Sequence, residues 1–316
     1  MESEHALILP IVEEDEENTC LPLVVTVVSK YWGVDLPFSE AKEISKKYPN
    51  MKGSIMIEGI ELAERQGLSS LILSSSIKEL KKIIDIGIPP IVILPGIQDT
   101  VQHASIISGY DETEGTIIHY FPQPDTIGVI PEKKFDMQWS EDGRLILLIA
   151  PSDILSKVHL ENIKKEKSNR LCFLSEKLRL QKKPKEAMNA LKKALEIDQT
   201  NSTAFCLVGG MLNDQSSPEA IKYYQKSIEN NESCYLGYRG LGNYFLKTKD
   251  FPNAEKFYSK AIEINPNRFG PIYKNRGLAR LEQDKKIEAK EDFINYLNQM
   301  PNAADKTNIL EAIREL

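Results

Sequence analysis

The sequence predicts an α+β domain, in which helices pack on an antiparallel sheet, followed by an all-α array of helical repeats. The first prediction rests on the order of the elements in residues 1–150, where helical patterns come before a run of strands. The second rests on a unit of about 34 residues that recurs in residues 168–316. The length of 316 residues also favours two domains over a single core.

Helical patterns fill most of the first 85 residues. Before them, residues 6–12 are predicted to be an entry strand or an extended segment. The first helix is predicted to begin at Cys20, after an acidic loop, with Asn18 or Thr19 as its cap. Apolar residues recur in it at helical spacing, so one of its faces is predicted to be buried. Further helices are predicted over residues 38–48, 55–66, 76–84 and 132–139.

Strand patterns predominate from residue 88 to residue 149. They are short runs rich in isoleucine and valine, separated by glycine, proline and aspartate. Strands are predicted over residues 68–74, 88–94, 103–110, 116–121, 127–130 and 145–149. Because a turn over residues 111–115 joins two of these strands directly, we expect an antiparallel sheet, with the helices packed on one of its sides.

The composition excludes several classes of protein. Hydrophobic residues make up 41% of the chain and charged residues 27%, as in ordinary soluble proteins. No apolar run approaches the roughly 20 residues that a membrane helix needs, and the acidic start lacks the pattern of a signal peptide. We therefore expect a cytoplasmic protein without membrane contact.

The four cysteines, at positions 20, 172, 206 and 234, form no CxxC pair. Their wide spacing argues against a zinc site and against a disulfide framework. We expect reduced thiols, no metal and no cofactor. The last three cysteines are interpreted as packing residues of the repeats.

The charge differs between the two parts of the chain. Residues 1–150 contain 24 acidic and 12 basic side chains, a net charge of −12, whereas residues 151–316 contain 22 and 28, a net charge of +6. Either the two parts attract each other, or the second part prefers acidic partners. Nucleic acid is not expected as a partner, because the basic residues are spread over helix faces and no recognised motif accompanies them.

Cys20 is the candidate reactive residue of the first domain. A thiol at a helix N-terminus lies among unpaired amide hydrogens and at the positive end of the helix dipole, and both lower its pKa. The alternative is a small buried cysteine that only contributes to packing. A histidine base elsewhere in the chain would favour the first interpretation.

Residues 7–150 resemble the bacteriocin-processing, or double-glycine, branch of papain-like cysteine peptidases. The most specific segment is the strand that begins at His103 and runs into Gly109-Tyr110-Asp111. Other matching segments keep the order and spacing of that family: Asn18-Thr19-Cys20, Tyr31-Trp32-Gly33-Val34, Gly53-Ser54, Leu62-Ala63, Ile88-Pro89-Pro90-Ile91-Val92, Phe135 and Trp139.

The resemblance implies a papain-like fold with Cys20 as the nucleophile and His103 as the base. In such enzymes the thiolate attacks a peptide carbonyl and the histidine transfers the proton. The chain also departs from the family pattern at several positions. Glu14 stands where the family has a glutamine that donates to the oxyanion, and a carboxylate cannot donate unless it is protonated.

Two further departures surround the predicted pair. Phe121 stands where the family has the aspartate that orients the histidine, and either Asp125 or His119 could take its place through a shifted loop. Leu21 replaces a small residue after the nucleophile, so we expect it to narrow the cleft. These departures weaken catalysis and leave the fold intact.

The second part, after a lysine-rich linker over residues 151–167, resembles tetratricopeptide repeats. About four units are predicted, with a capping helix over residues 302–316. Small residues are expected where the two helices of a pair cross, as at Gly242 and Gly277. The alanines that mark the second helix of each unit are 33, 34 and 35 residues apart: Ala187, Ala220, Ala254 and Ala289. The resemblance implies a concave groove for an extended peptide or a helix.

Two functions remain open from the sequence. The chain is either a cysteine peptidase whose repeats recruit a protein substrate, or an adaptor in which a catalytically impaired peptidase-like domain keeps its peptide cleft and the repeats serve as a scaffold. The thiol and the base favour the first function, whereas Glu14 at the oxyanion position favours the second.

Overall fold

The computed structural model describes residues 4–12, 19–48, 54–95, 102–120, 127–158 and 163–316. The chain divides into two compact units: Met1–Leu94 with His103–Asn201, and Pro95–Gln102 with Ser202–Leu316. The boundaries predicted at residues 150 and 167 stay predictions. The compact units divide the second part of the chain at Asn201, so that the first helical pair belongs with the sheet.

The first unit contains seven strands and nine helices in its described residues. The strands are β1 (Glu4–Ala6), β2 (Ser69–Ser74), β3 (Ile91–Pro95), β4 (Gln102–Asp111), β5 (Thr116–Tyr120), β6 (Ile127–Pro131) and β7 (Leu145–Ala150). The helices are α1 (Cys20–Tyr31), α2 (Phe38–Ala41), α3 (Glu43–Lys46), α4 (Met56–Arg65), α5 (Ile77–Asp85), α6 (Glu132–Ser140), α7 (Ser152–Leu155), α8 (Ile163–Leu180) and α9 (Pro184–Ile197).

The strands form one sheet in the order β2-β7-β3-β4-β5-β6, with β1 paired to β4 outside this path. The pairs β2–β7, β3–β7, β4–β5, β5–β6 and β1–β4 are antiparallel, as the sequence predicts. The predicted fold class, helices on an antiparallel sheet followed by helical repeats, is confirmed.

Helices cover both faces of the sheet, so the expectation that they lie on one side is wrong. One buried cluster joins α1, α2 and α4 to one set of strand residues, including Ile91 and Ile106. A second cluster joins α5 and α6 to the other set, including Val92 and Ile107. The physical reason is visible in β7, whose six residues are all apolar and all buried, since a strand covered on both faces has no polar side.

A glycine in β4 allows β1 to approach. A Cβ atom at Gly109 would lie 2.2 Å from the carbonyl oxygen of His5 and 2.9 Å from the Cα atom of Ala6. Both are backbone atoms, which cannot rotate away. Next to this crossing, the amide of Leu7 donates a hydrogen bond of 2.7 Å to the carbonyl of Ser108.

We therefore expect Gly109→Ala to displace β1 and to lower the free energy of unfolding by about 1–3 kcal/mol, as in other overpacked sites. Hydrogen exchange at the Leu7 amide should become faster in the variant. Gly210→Ala is the matched control, because its Cβ would only touch the Tyr224 hydroxyl at 3.9 Å. Unchanged stability and exchange in Gly109→Ala would contradict the close crossing.

The second unit is all helical in its described residues 202–316 apart from the connections. Its helices are α10 (Ser202–Asp214), α11 (Glu219–Asn230), α12 (Tyr235–Lys247), α13 (Phe251–Ile264), α14 (Pro271–Leu281), α15 (Lys286–Gln299) and α16 (Lys306–Glu315). Small residues lie at the crossings as predicted. A Cβ atom at Gly242 would lie 2.5 Å from the Tyr258 ring, and one at Gly277 would lie 2.8 Å from the Phe293 ring.

Candidate active site

Cys20 is the first residue of α1, as predicted. The helix begins where the Leu23 amide donates to the carbonyl of Thr19 at 3.0 Å. The Thr19 side chain accepts no capping hydrogen bond, and Asn18, the other predicted cap, lies outside the described residues. Helical spacing of apolar residues buries α1 in the core, while the Cys20 side chain stays half-buried at its end.

His103 lies at the second position of β4 and reaches Cys20. The two side chains form a hydrogen bond, and the sulfur also accepts hydrogen bonds from the backbone of Ala104 and Leu21. Burial raises the pKa of the Cys20 thiol, but the bond with His103, the positive charge of that imidazole and the two backbone donors lower it below the value of an ordinary thiol. The start of α1 therefore holds a thiol that ionises readily beside a histidine.

His119 lies on the neighbouring strand β5, opposite Ile107. Burial lowers the pKa of its imidazole, and the positive charge of His103 lowers it further. Both causes disfavour the charged form of His119. This half-buried imidazole close to His103 is a candidate orienting group.

Two predicted site residues have no geometry to report. Glu14, at the oxyanion position, and Asp125, the alternative orienting residue, both lie outside the described residues. Phe121 lies outside them as well. Their roles stay predictions.

The Leu21 side chain lies in the core and not at an open surface. Its side chain is only 3% exposed and is buried in the core around α1. A Cβ atom at Gly59 of α4 would lie 3.0 Å from the Leu21 side chain, so the glycine makes room for it. The expectation that Leu21 narrows the cleft is wrong, because the side chain packs against α4.

A buried carboxylate fixes α4 behind Leu21. Glu58 is 1% exposed and accepts hydrogen bonds from Lys47 and, at 2.8 Å, from the Tyr48 hydroxyl. Lys177 of α8 lies 3.4 Å from the same carboxylate and 2.6 Å from Glu61. Burial raises the pKa of Glu58, but the bonds from Lys47 and Tyr48 and the charge of Lys177 hold it below its usual value.

The sequence reasoning missed this contact between α4 and α8. Besides Lys177, Arg170 of α8 bonds to Glu64 at 2.9 Å and to the Ser70 hydroxyl at 2.8 Å. A charge pattern in the sequence does indicate this contact. Acidic residues at positions 58, 61 and 64 form one face of α4, and basic residues at positions 170 and 177 lie two turns apart on α8. Within the first unit, the acidic and basic parts of the chain do attract each other.

In the ranges that the structure describes, no group of three or more His, Cys, Asp or Glu side chains is arranged to hold a metal ion. No helix among the described residues combines the length and the apolar character needed to cross a membrane.

Known families match two segments of the chain. The tetratricopeptide repeat models match residues 171–201 and 235–268. A search of curated proteins finds no match. Residues 171–201 correspond to α8 and α9, and residues 235–268 to α12 and α13.

Solved structures similar to parts of the chain include both kinds of domain. The peptidase domain of Streptococcus ComA, a bifunctional ABC transporter of a quorum-sensing pathway, is 21% identical with a TM-score of 0.37 and covers 47% of this chain and 99% of its own. A double-glycine-motif protease from an AMS/PCAT transporter, in complex with its leader peptide, is 17% identical with a TM-score of 0.38 over 46% of this chain and 94% of its own.

PilF of Pseudomonas aeruginosa is also similar, at 22% identity and a TM-score of 0.44, over 48% of this chain and 71% of its own. The predicted repeats are confirmed by the two family matches. The chain thus carries tetratricopeptide repeats and is similar in part to double-glycine peptidase domains.

Proposed function

We propose that the first domain is a cysteine peptidase-type domain that binds peptides and acts on them through Cys20 and His103. The single observation that carries the proposal is the hydrogen bond between these two side chains at the start of α1. It joins residues 83 positions apart, which is unexpected for a cysteine that only fills space. The lowered pKa of the thiol agrees with a nucleophile.

In this proposal His103 takes the proton of Cys20, and the thiolate attacks the carbonyl carbon of a bound peptide. The backbone donors of Leu21 and Ala104 stabilise the negative sulfur before the attack. His103 then returns the proton to the leaving amine, and water releases the acyl group. His119 is our candidate for orienting His103, and Asp125 is the alternative from the sequence.

The tetratricopeptide repeats supply the second half of the proposal. Arrays of this kind expose an extended concave surface, and such repeats generally bind protein partners. We propose that the array recruits a protein whose peptide segment enters the domain with Cys20. The partner would be a protein or a peptide, without nucleic acid and without a membrane.

A reactive thiol can be tested directly. At pH values below the pKa of an ordinary thiol, iodoacetamide should alkylate Cys20 faster than a model peptide thiol, because a larger fraction of Cys20 is thiolate. Cys172 is an internal control, since it is fully buried and burial raises the pKa of its thiol. Peptide mapping by mass spectrometry gives both rates in one sample. If Cys20 reacts no faster than the model thiol, the peptidase proposal fails.

An adaptor is the second candidate function, and a specific residue favours it. Glu14 occupies the position where the peptidase family has the glutamine that donates to the oxyanion. An ionised carboxylate there would repel the developing negative charge. In this alternative the domain binds peptides without cleaving them, and the repeats provide the scaffold.

Glu14→Gln distinguishes the two functions. If only the oxyanion donor is missing, the variant should cleave peptides about 10²–10³ times faster than the natural chain, which is the usual effect of one such donor. Turnover of peptides with a Gly-Gly sequence, followed by mass spectrometry, is the measurement. Glu16→Gln, which changes the charge of the same acidic loop equally, is the matched control. Equal turnover of both variants would contradict an oxyanion role for position 14.

A further inference from the structure

Two cysteines of the second unit lie in contact although they are 28 positions apart in the sequence. Cys206 belongs to α10, and Cys234 is the residue that precedes α12. Their sulfur atoms form a hydrogen bond with each other. From this contact we infer that Cys206 and Cys234 form a dithiol site that a hydroperoxide oxidises to a disulfide within the repeat array.

The surroundings of Cys234 favour its ionised form. The Ser227 hydroxyl lies 3.2 Å from its sulfur, and further hydrogen bonds come from the Gly237 backbone and from Ser202. The bond with Cys206 has the largest effect, and together these contacts lower the pKa of the Cys234 thiol below that of an ordinary thiol against the opposing effect of burial. Of the two sulfurs, Cys234 is therefore the one that ionises first.

The serines hold this geometry in place. The Ser227 hydroxyl also lies 2.9 Å from the carbonyl oxygen of Ser202, and the Ser202 hydroxyl lies 2.9 Å from the carbonyl oxygen of Ser227. This exchange ties α10 to α11 beside the dithiol. The bond with Cys234 and burial raise the pKa of the Cys206 thiol, and the charge of Arg239 in α12 opposes them only in part. The surroundings therefore favour a thiolate at Cys234 and a protonated thiol at Cys206.

Access to the pair suits a small oxidant. The Cys234 side chain is 5% exposed, whereas Cys206 is partly exposed, so a molecule of the size of water or hydrogen peroxide fits better than a protein thiol or glutathione. Cys172 has no such partner thiol in the described part of the chain and is fully buried.

The reaction balances with hydrogen peroxide as the oxidant. The Cys234 thiolate attacks one peroxide oxygen, the O–O bond breaks, and the hydroxide that leaves takes a proton to become water. The resulting sulfenic acid is then attacked by the sulfur of Cys206, whose proton joins the departing hydroxide as a second water. Two thiols and one peroxide become one disulfide and two waters. The new bond links α10 to the start of α12.

The test uses the full chain with Cys20→Ser, so that the reactive thiol of the first domain cannot take part. After treatment with hydrogen peroxide, we expect peptide mapping without reductant to find residues 206 and 234 joined, with the loss of two hydrogen atoms. Dithiothreitol should reverse the change. Cys172 should keep its thiol. Its oxidation should be slower than that of Cys234 by a factor of about ten or more, because burial opposes the ionisation of the Cys172 thiol.

Cys206→Ser provides the second measurement, because the serine hydroxyl can still donate to the Cys234 sulfur but cannot form a disulfide. Without its partner thiol, the oxidised Cys234 should remain a sulfenic acid, and dimedone should label it. In the Cys20→Ser chain, which keeps Cys206, dimedone should not label Cys234. The mapping of the 206–234 crosslink uses the chain that keeps both cysteines, so that result stands even if this second variant does not fold. Recovery of both thiols after peroxide, or oxidation of Cys234 to sulfinic acid without a crosslink, would overturn the inference.

Discussion

Replacing His103 by alanine should bring the reactivity of Cys20 below that of an ordinary cysteine thiol. Two of the causes that lower the pKa of Cys20 come from His103, namely its hydrogen bond and its charge. Without them, burial is the largest remaining effect, and burial raises the pKa of a thiol. The alkylation profile should therefore move to higher pH. Iodoacetamide labelling of Cys20 across pH is the measurement.

Peptide cleavage should fall further than alkylation in the same variant. Iodoacetamide needs only the thiolate, whereas peptide cleavage also needs a proton for the leaving amine. Loss of a positioned acid and base typically costs about 10²–10⁴ in rate. If the chain turns over peptides, the two assays should therefore separate in His103→Ala.

His5→Ala is the matched control for this substitution. His5 bonds to Asp85 at 3.0 Å and stacks on Tyr110, so its removal changes one histidine without touching the contacts of Cys20. We expect its alkylation profile to match that of the unchanged protein. Equal profiles for all three proteins would show that His103 does not govern the thiol, and the peptidase proposal would fail.

The pairing of Cys20 with His103 could be predicted only through the resemblance to a family. The helix start and the strand start are each visible in the sequence, but 83 residues separate them and neither pattern specifies the partner. The antiparallel sheet was predictable for a different reason, because short strands joined by a tight turn over residues 111–115 leave few other arrangements. Local signals therefore predicted elements, and the resemblance predicted the site.

Contacts that depend on packing were not predictable in the same way. Leu21 looked like an obstruction after the nucleophile, and the space that accommodates it comes from Gly59, on another helix. The second layer of helices is not evident from the sequence order, because the apolar run of β7 fits a closing strand and shows only in the structure that both of its faces are covered. Both errors concern where a side chain points, which depends on elements distant in sequence.

Asp292 illustrates the same limit in the repeats. In the sequence it follows Glu291 and precedes Phe293 on an amphipathic helix, which is typical of a solvent-exposed carboxylate. In the structure it is 1% exposed. Two arginines of α14 account for the burial: Arg276 bonds to the carboxylate at 2.7 Å and Arg280 at 2.9 Å. Since these arginines are four residues apart, both reach the same group on α15.

Asp292→Ala should destabilise the second unit by about 3–5 kcal/mol. Removing one partner of a buried ion pair leaves the other charge without compensation, and this cost exceeds the net gain that the intact pair provides. Arg276 is 13% and Arg280 16% exposed, so neither can return fully to water without moving α14. Arg280 keeps its bond to Glu255 at 3.0 Å, so Arg276 should contribute most of the loss.

Chemical denaturation followed by helical circular dichroism measures this effect. Trp32 and Trp139 both lie in the first unit, so tryptophan fluorescence from the same samples gives a separate signal from that unit. Glu263→Ala is the matched control. Its carboxylate is 2.6 Å from Lys260, but both side chains are more than half exposed, so water and salt screen the pair and its loss should change the stability little.

A double substitution separates the charge from the packing. If the loss in Asp292→Ala comes from the uncompensated Arg276, then Arg276→Met combined with Asp292→Leu should recover a large part of the stability, because a buried ion pair exchanged for apolar side chains of similar volume is often neutral. If instead the loss comes from a cavity, the double variant should gain nothing over Asp292→Leu alone. A loss below about 1 kcal/mol in Asp292→Ala would contradict the burial itself, because only a pair that water already reaches is so weak.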